Sequence, residues 1–173
     1  YVSRGGVKLA AALDYFDLSV DGKNVMDIGA STGGFTDCLL QHGARTVVAV
    51  DVGYGQLDWK LRQDPRVTVM ERTNARFLKP EDFLSAPDGA VIDVSFISLK
   101  LVAPAVSGIL AENSFMICLI KPQFEVGKGN VGKGGVVRDR AIHAKIVESL
   151  ERFFSSEGWS IQGTIPSPIS GPK

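Results

Sequence analysis

The 173-residue sequence predicts an α/β fold with a mostly parallel central sheet and helices on both faces. Three observations lead there. Short, apolar, β-branched runs alternate with stretches of helical periodicity. The first run ends on a glycine-rich turn that opens into a helix. Neither a cysteine framework nor a long apolar span points to another class.

The elements follow in order. Val25–Gly29 reads as a strand closing on glycine, and Phe35–His42 as a helix with Phe35, Leu39 and Leu40 at helical spacing and Gly43 as its stop. Thr46–Val52 is a continuous β-branched run, the signature of a strand buried on both faces. Val67–Met70, Gly89–Val94 and Phe115–Ile120 supply three further strands. Leu99–Leu110 reads as a helix in which Pro104 belongs near an end or at a kink. Ile142, Ile146, Leu150 and Phe153 form a helical stripe that Gly158 ends, and Trp159–Ile165 reads as a last strand. Pro122–Val137 fits none of this. It holds five glycines and two lysines with little apolar content, and loops of that length inside a compact domain are often functional.

Composition excludes several classes. Hydrophobic residues make up 45% and charged residues 22%, which suits one ordinary globular domain and not a disordered chain. Lys+Arg and Asp+Glu balance at 19 each, so a globally basic nucleic-acid binder is excluded, whereas a local basic patch is not. The longest apolar run, Phe115–Ile120, is far below a membrane span, so no membrane partner is expected. Cys38 and Cys118 read as buried free thiols of a cytoplasmic protein, and no Cys/His cluster has metal-ligand spacing. The chain opens on Tyr1 and closes on a turn at Ser170–Lys173, which reads as a segment of a longer protein.

The strongest local signal is Asp27-Ile28-Gly29-Ala30-Ser31-Thr32-Gly33-Gly34-Phe35-Thr36, leaving a strand and entering a helix. Glycines let the backbone turn tightly and approach a ligand, and the helix start offers free N–H groups. Ser31 stands where a dinucleotide fingerprint needs its second glycine, and no Lys-Ser/Thr follows as in a phosphate-gripping loop. A nucleoside carrying an amino-acid tail suits such a loop. Asp51 ends the second strand 22 residues after Gly29, where an acid can accept both hydroxyls of a ribose, and Val52 follows it. Asn74, after the third strand, could read an adenine edge or simply cap a turn. Asp93 ends the fourth strand and Lys121 the fifth, both at the carboxyl edge where open parallel sheets bind ligands. A Lys closing a six-residue apolar run is a candidate to take a proton from a poor acid such as a hydroxyl, with a structural ion pair to Asp93 as the alternative.

Four motifs stand in order along the chain: Ser3-Arg4-Gly5-Gly6-Val7-Lys8-Leu9, the Asp27–Asp37 loop, Ile92-Asp93-Val94-Ser95-Phe96, and Leu119-Ile120-Lys121-Pro122-Gln123-Phe124-Glu125. Together they resemble the TlyA/hemolysin family of ribosomal RNA methyltransferases, within the FtsJ-like ribose 2′-O-methyltransferases. The resemblance covers essentially the whole chain. It implies a Rossmann-like, S-adenosylmethionine-dependent methyltransferase fold and a Lys-Asp-Lys-Glu catalytic set in which Lys8, Asp93 and Lys121 take the first three roles. Asp27, Gly29, Ala30, Ser31, Gly33, Gly34, Phe35, Thr36, Asp51, Val52, Asn74 and Asp93 are then the expected cofactor residues. The late Glu and an N-terminal RNA-binding domain of the alpha-L type, both features of the family, are expected outside this chain, as is the last strand. The implied reaction is 2′-O-methylation of a ribose, cytidine being the family's choice, in ribosomal RNA or ribosomal subunits.

Charge agrees with an RNA partner. Residues 121–145 hold six Lys or Arg against two acids, and residues 1–8 add Arg4 and Lys8 with no acid. Arg4, Lys128, Lys133 and Arg138 are the expected RNA contacts. Three alternatives remain open: a membrane-active hemolysin, a nicotinamide-dependent dehydrogenase, and a cofactor-binding RNA module without catalysis.

Overall fold

In a computed structural model the described residues are 1–126, 136, 137 and 139–170. Five strands form one parallel sheet: β1 (Asn24–Ile28), β2 (Thr46–Val50), β3 (Val67–Met70), β4 (Gly89–Ile92) and β5 (Phe115–Cys118). Their spatial order is β3-β2-β1-β4-β5. Every pairing is parallel and in unbroken register, Val25 opposite Val47 and Gly89, Ile28 opposite Val50 and Ile92. The chain runs outward from β1 through β2 to β3, then returns to lay β4 on the other side of β1. That reversal leaves a crevice at the carboxyl ends of β1 and β4, the place where doubly wound sheets bind ligands.

Helices α1 (Gly5–Tyr15), α2 (Gly34–Gln41) and α3 (Trp59–Arg62) lie on one face; α4 (Leu99–Ser107), α5 (Pro122–Glu125) and α6 (Arg140–Ser156) belong to the other. The period of two along each strand decides which core a side chain joins. Val25, Val47, Ala49 and Val91 pack with Leu9, Leu13, Cys38, Leu39 and Leu61. Their neighbours Met26, Ile28, Val50, Ala90 and Ile92 pack with Val102, Val106, Ile146 and Leu150. Pro104 sits in the last turn of α4, where the helix ends three residues later. Among the described residues no helix is long and apolar enough to cross a membrane.

Two elements depart from expectation. Trp159–Ile165 forms no strand among the described residues: it pairs with none of them, its residues from Ser160 to Thr164 are exposed, and Gly163 at φ +143° breaks the extended run. The Trp159 indole instead donates to Ser107 Oγ at 3.2 Å, tying the segment to the end of α4. Conversely, α1 forms where only a motif was read. Gly6, Leu9, Ala12 and Leu13 recur at helical spacing and are its buried face. The glycine-rich stretch Gly127–Gly135, with Lys128 and Lys133, and also Arg138, lies outside the described residues.

Candidate active site at the carboxyl edge of the sheet

The glycine loop is shaped by backbone geometry that its sequence permits. Gly29 has φ +84°, and a Cβ there would lie 2.5 Å from the Asp93 carbonyl oxygen, so only glycine lets β1 and β4 close on each other at the crevice. Gly29 and Ala30 N–H groups donate to Val50 O at 2.8 and 3.1 Å, fastening the loop to β2. Ser31 takes a left-handed φ of +50°, and its N–H donates to Asp51 Oδ2 at 2.8 Å. The Gly53 N–H donates to Asp51 Oδ1 at 2.7 Å. Each Asp51 oxygen thus takes one backbone donor, which fixes the carboxylate at the strand end and keeps lone pairs for a ligand.

Asp27 lies under this loop and is fully buried. Thr36 Oγ1 donates to its Oδ2 at 2.7 Å, while Oδ1 has no hydrogen-bond partner among the described residues. Burial pushes its carboxyl up to about 7; the Thr36 hydroxyl and N–H oppose this, and the Asp93 and Asp51 charges add to it. Asp37, one turn into α2, goes the other way. Burial raises it, but hydrogen bonds from Gln41 and the Val2 N–H, together with Lys60, outweigh that and hold it below the usual carboxylate value. The Val2–Asp37 bond, 2.8 Å long, anchors the segment leading into α1 against the glycine-loop helix.

Lys121 and Asp93 meet as their adjacent strand ends require. Lys121 Nζ stands 2.6 Å from Asp93 Oδ1 and donates to Ser95 Oγ at 2.8 Å. The approach to Asp93 is an ion pair whose angle lies outside hydrogen-bond geometry, so Lys121 is the charge partner of this buried oxygen rather than an aligned donor. Both side chains keep about a quarter of their surface open, 22% and 23%. Phe96, two residues beyond Val94, is 90% exposed and held at φ +64°, an uncommon conformation for a bulky residue. Its ring lies 5.1 Å from that of Phe124.

A cavity of about 220 Å³ opens at this edge. Arg4, the N-cap of α1, and Lys8 within α1 border it, with residues Gly29–Thr32, Gly34 and Phe35 from the loop and Asp93 just past the end of β4. The Phe35 ring also belongs to the core. Asp51 and Lys121 stand just behind the rim, joined to it through Ser31 and Asp93. Asn74 does not border it; its Oδ1 accepts the Arg76 N–H at 3.1 Å and caps a short turn, which is the simpler of its two readings. Val52 is exposed beside Asp51. Ser95, Phe96 and Phe124 carried no signal beyond their place in the motifs. Ile169 and Ser170, which close one side of the cavity, carried none in the sequence. Cys38 is buried and its thiol is pushed up to about 11 by burial, which leaves it inert at neutral pH.

The FtsJ-like methyltransferase profile matches residues 1–173. The chain belongs to this family. It is 52% identical over 172 residues to the 16S/23S rRNA (cytidine-2′-O)-methyltransferase TlyA of Mycobacterium tuberculosis, covering 99% of this chain and 64% of that protein. It is 47% identical to Hemolysin A of Brachyspira hyodysenteriae, covering the whole of this chain and 72% of that protein. A solved structure from Streptococcus thermophilus, described as a candidate hemolysin, superposes with a TM-score of 0.96 at 52% identity, covering 99% of this chain and 62% of that one. The chain spans about three fifths of the length of the first curated relatives it matches, 61% and 64%. A more distant likeness, to Aeropyrum pernix fibrillarin solved with S-adenosyl-L-methionine, has a TM-score of 0.59 at 19% identity and covers 85% of this chain and 64% of that one. It marks the fold as the Rossmann-like methyltransferase arrangement.

Proposed function

We propose that this chain is the catalytic part of an S-adenosylmethionine-dependent RNA methyltransferase that acts on a ribose 2′-hydroxyl, cytidine in ribosomal RNA being the target. The observation that carries the reading is the Lys121–Asp93 pair at the carboxyl edge, on the same crevice as the glycine loop and Lys8. The residues present fit the cofactor. Asp93 borders the crevice, Asp51 stands at its rim with Asp27 buried beneath the loop, and Asp27 Oδ1 has no hydrogen-bond partner among the described residues. Such a concentration of carboxylate repels a pyrophosphate and suits a ligand carrying a sulfonium and an ammonium group. Asp51 would hold the cofactor ribose and the loop backbone its amino-acid end. When bound, S-adenosylmethionine supplies an electrophilic methyl group.

The chain's own residues do the rest. Lys121 accepts or shares the proton of the target hydroxyl at Nζ. Asp93 and Ser95 fix the direction of that amine. Lys8, which borders the same cavity as Asp93, positions the target ribose through its charge. Most of the rate then comes from orientation and electrostatics. Arg4, Lys128, Lys133 and Arg138 contribute phosphate contacts, and Phe96, exposed beside the pair, offers a face for a base. A ribosomal substrate assigns the work to the cytoplasm. Lys121→Arg tests the reading, because Arg keeps the charge and cannot act as a base. The full-length variant should bind cofactor like the parent and transfer no methyl group; near-parental transfer refutes the assignment of Lys121.

A further inference from the structure

Lys121 lies three residues past β5 and is the N-cap of α5, a single turn from Pro122 to Glu125. One turn of helix has almost no stability of its own, so something else must hold Lys121 against Asp93. The ion pair itself is a poor candidate. Its strength changes whenever Lys121 gains or loses a proton, which is the event the proposed reaction requires.

The last two residues of α5 supply the hold. Glu125 Oε1 accepts the Leu99 N–H at 2.8 Å, and its Oε2 accepts the Ser98 hydroxyl at 2.6 Å. Ser98 Oγ in turn accepts the Lys100 N–H at 3.2 Å as the N-cap of α4. Phe124 meets Phe96, the strained residue of the same loop. The Asp93–Leu99 loop and the Lys121–Glu125 turn are therefore laced at three places. The reacting pair lies at one end, the two rings in the middle, and the Glu125 carboxylate at the other end. A carboxylate accepting an N–H at the start of a nine-residue helix, and a hydroxyl besides, makes bonds about twice as strong as neutral ones. They are also independent of the charge on Lys121. A left-handed φ at a bulky residue persists only where its surroundings overdetermine it, and this clamp is that surrounding.

We infer that Glu125 is a positioning residue for methyl transfer: by clamping α5 to the N-terminus of α4 it holds Lys121 in register with Asp93. The inference rests on the proposed function, which makes Lys121 and Asp93 the reacting pair.

The test uses the full-length protein with Glu125→Ala, Glu125→Gln, Ser98→Ala and, as a control, Lys121→Met. Cofactor Kd, RNA KM and kcat are measured for each, with a thermal melt. Glu125→Ala should lower kcat by roughly 10- to 100-fold, the scale of a misplacement near 1 Å, with cofactor Kd and RNA KM within about twofold of the parent. Glu125→Gln keeps an acceptor for Leu99 and can donate to Ser98, so it should recover kcat to within about threefold of the parent. Ser98→Ala, which removes half the clamp, should fall between them, and it decides the matter alone if Glu125→Ala does not fold. Parental kcat in Glu125→Ala or Ser98→Ala overturns the inference. So does a Gln variant as slow as the Ala variant, since that result demands the charge and not the placement. If Lys121→Met remains active, the reading of the pair fails. If it is dead while Glu125→Ala is fully active, only the positioning role fails.

Discussion

Replacing Asp27 by Asn should remove a pH dependence of folding that the parent chain carries. Asp27 is fully buried, one of its oxygens has no donor, and its carboxyl is raised from 3.8 to about 7. Between those two pH values the folded chain keeps a proton on Asp27 that the unfolded chain has released. The sign follows: stability falls as pH rises from about 4 to about 7, and flattens above. At about 1.36 kcal/mol per pH unit, the distance corresponds to ~4 kcal/mol as an upper bound. Asn cannot ionise. Its Oδ1 can still accept from Thr36, but its amide replaces the orphan oxygen and costs about 1–3 kcal/mol. Denaturant unfolding of both proteins from pH 4 to pH 8 isolates the effect. Asp37, Asp64 and Glu71, whose carboxyls are held below their usual values, pull stability in the opposite direction, but equally in both proteins. The stability difference should move toward the Asn variant by up to ~4 kcal/mol across that range, leaving it at most about 1–3 kcal/mol ahead at pH 8. Two curves that run parallel from pH 4 to pH 8 would falsify this account of Asp27.

Three further outcomes are expected. Gly29→Ala adds a Cβ against the Asp93 carbonyl at a positive φ, so it should destabilise the fold by more than about 1 kcal/mol in the same unfolding assay; an unchanged midpoint contradicts the close approach of β1 and β4. Asp51→Ala removes a charged acceptor and should weaken S-adenosylmethionine binding by about 1–3 kcal/mol in calorimetry, whereas unchanged affinity takes Asp51 out of the site. In the full-length protein, Lys128→Ala with Lys133→Ala should weaken RNA binding and flatten its salt dependence by roughly one to two units of slope, with cofactor affinity untouched; a double variant with the parent's affinity and slope makes that segment a connector.

The sheet was legible because parallel strands buried on both faces read as unbroken apolar runs; β2 to β5 open at Thr46, Val67, Gly89 and Phe115 as expected, and β1 opens one residue before Val25, at Asn24. The meeting of Lys121 and Asp93 was legible from topology, since Asp93 directly follows β4, Lys121 lies three residues past β5, and the two strands are neighbours. Trp159–Ile165 misled because β-branched residues alone do not make a strand; pairing does, and Gly163 interrupts it. Helix α1 hid behind its own motif: two glycines at its start lower intrinsic propensity, and packing of Leu9 and Leu13 decides the matter. The Glu125 clamp was not legible. Nothing in local spacing tells that a carboxylate caps a helix 26 residues earlier.

Methyl transfer by the full-length protein, mapped nucleotide by nucleotide, tests the central assignment most directly. Unmodified ribosomal subunits are incubated with labelled S-adenosylmethionine and either the parent or the Lys121→Arg variant. Label on a ribose 2′-oxygen of a cytidine with the parent, and none with the variant, is the expected result. Label on a base, or equal ribose label with both proteins, contradicts it.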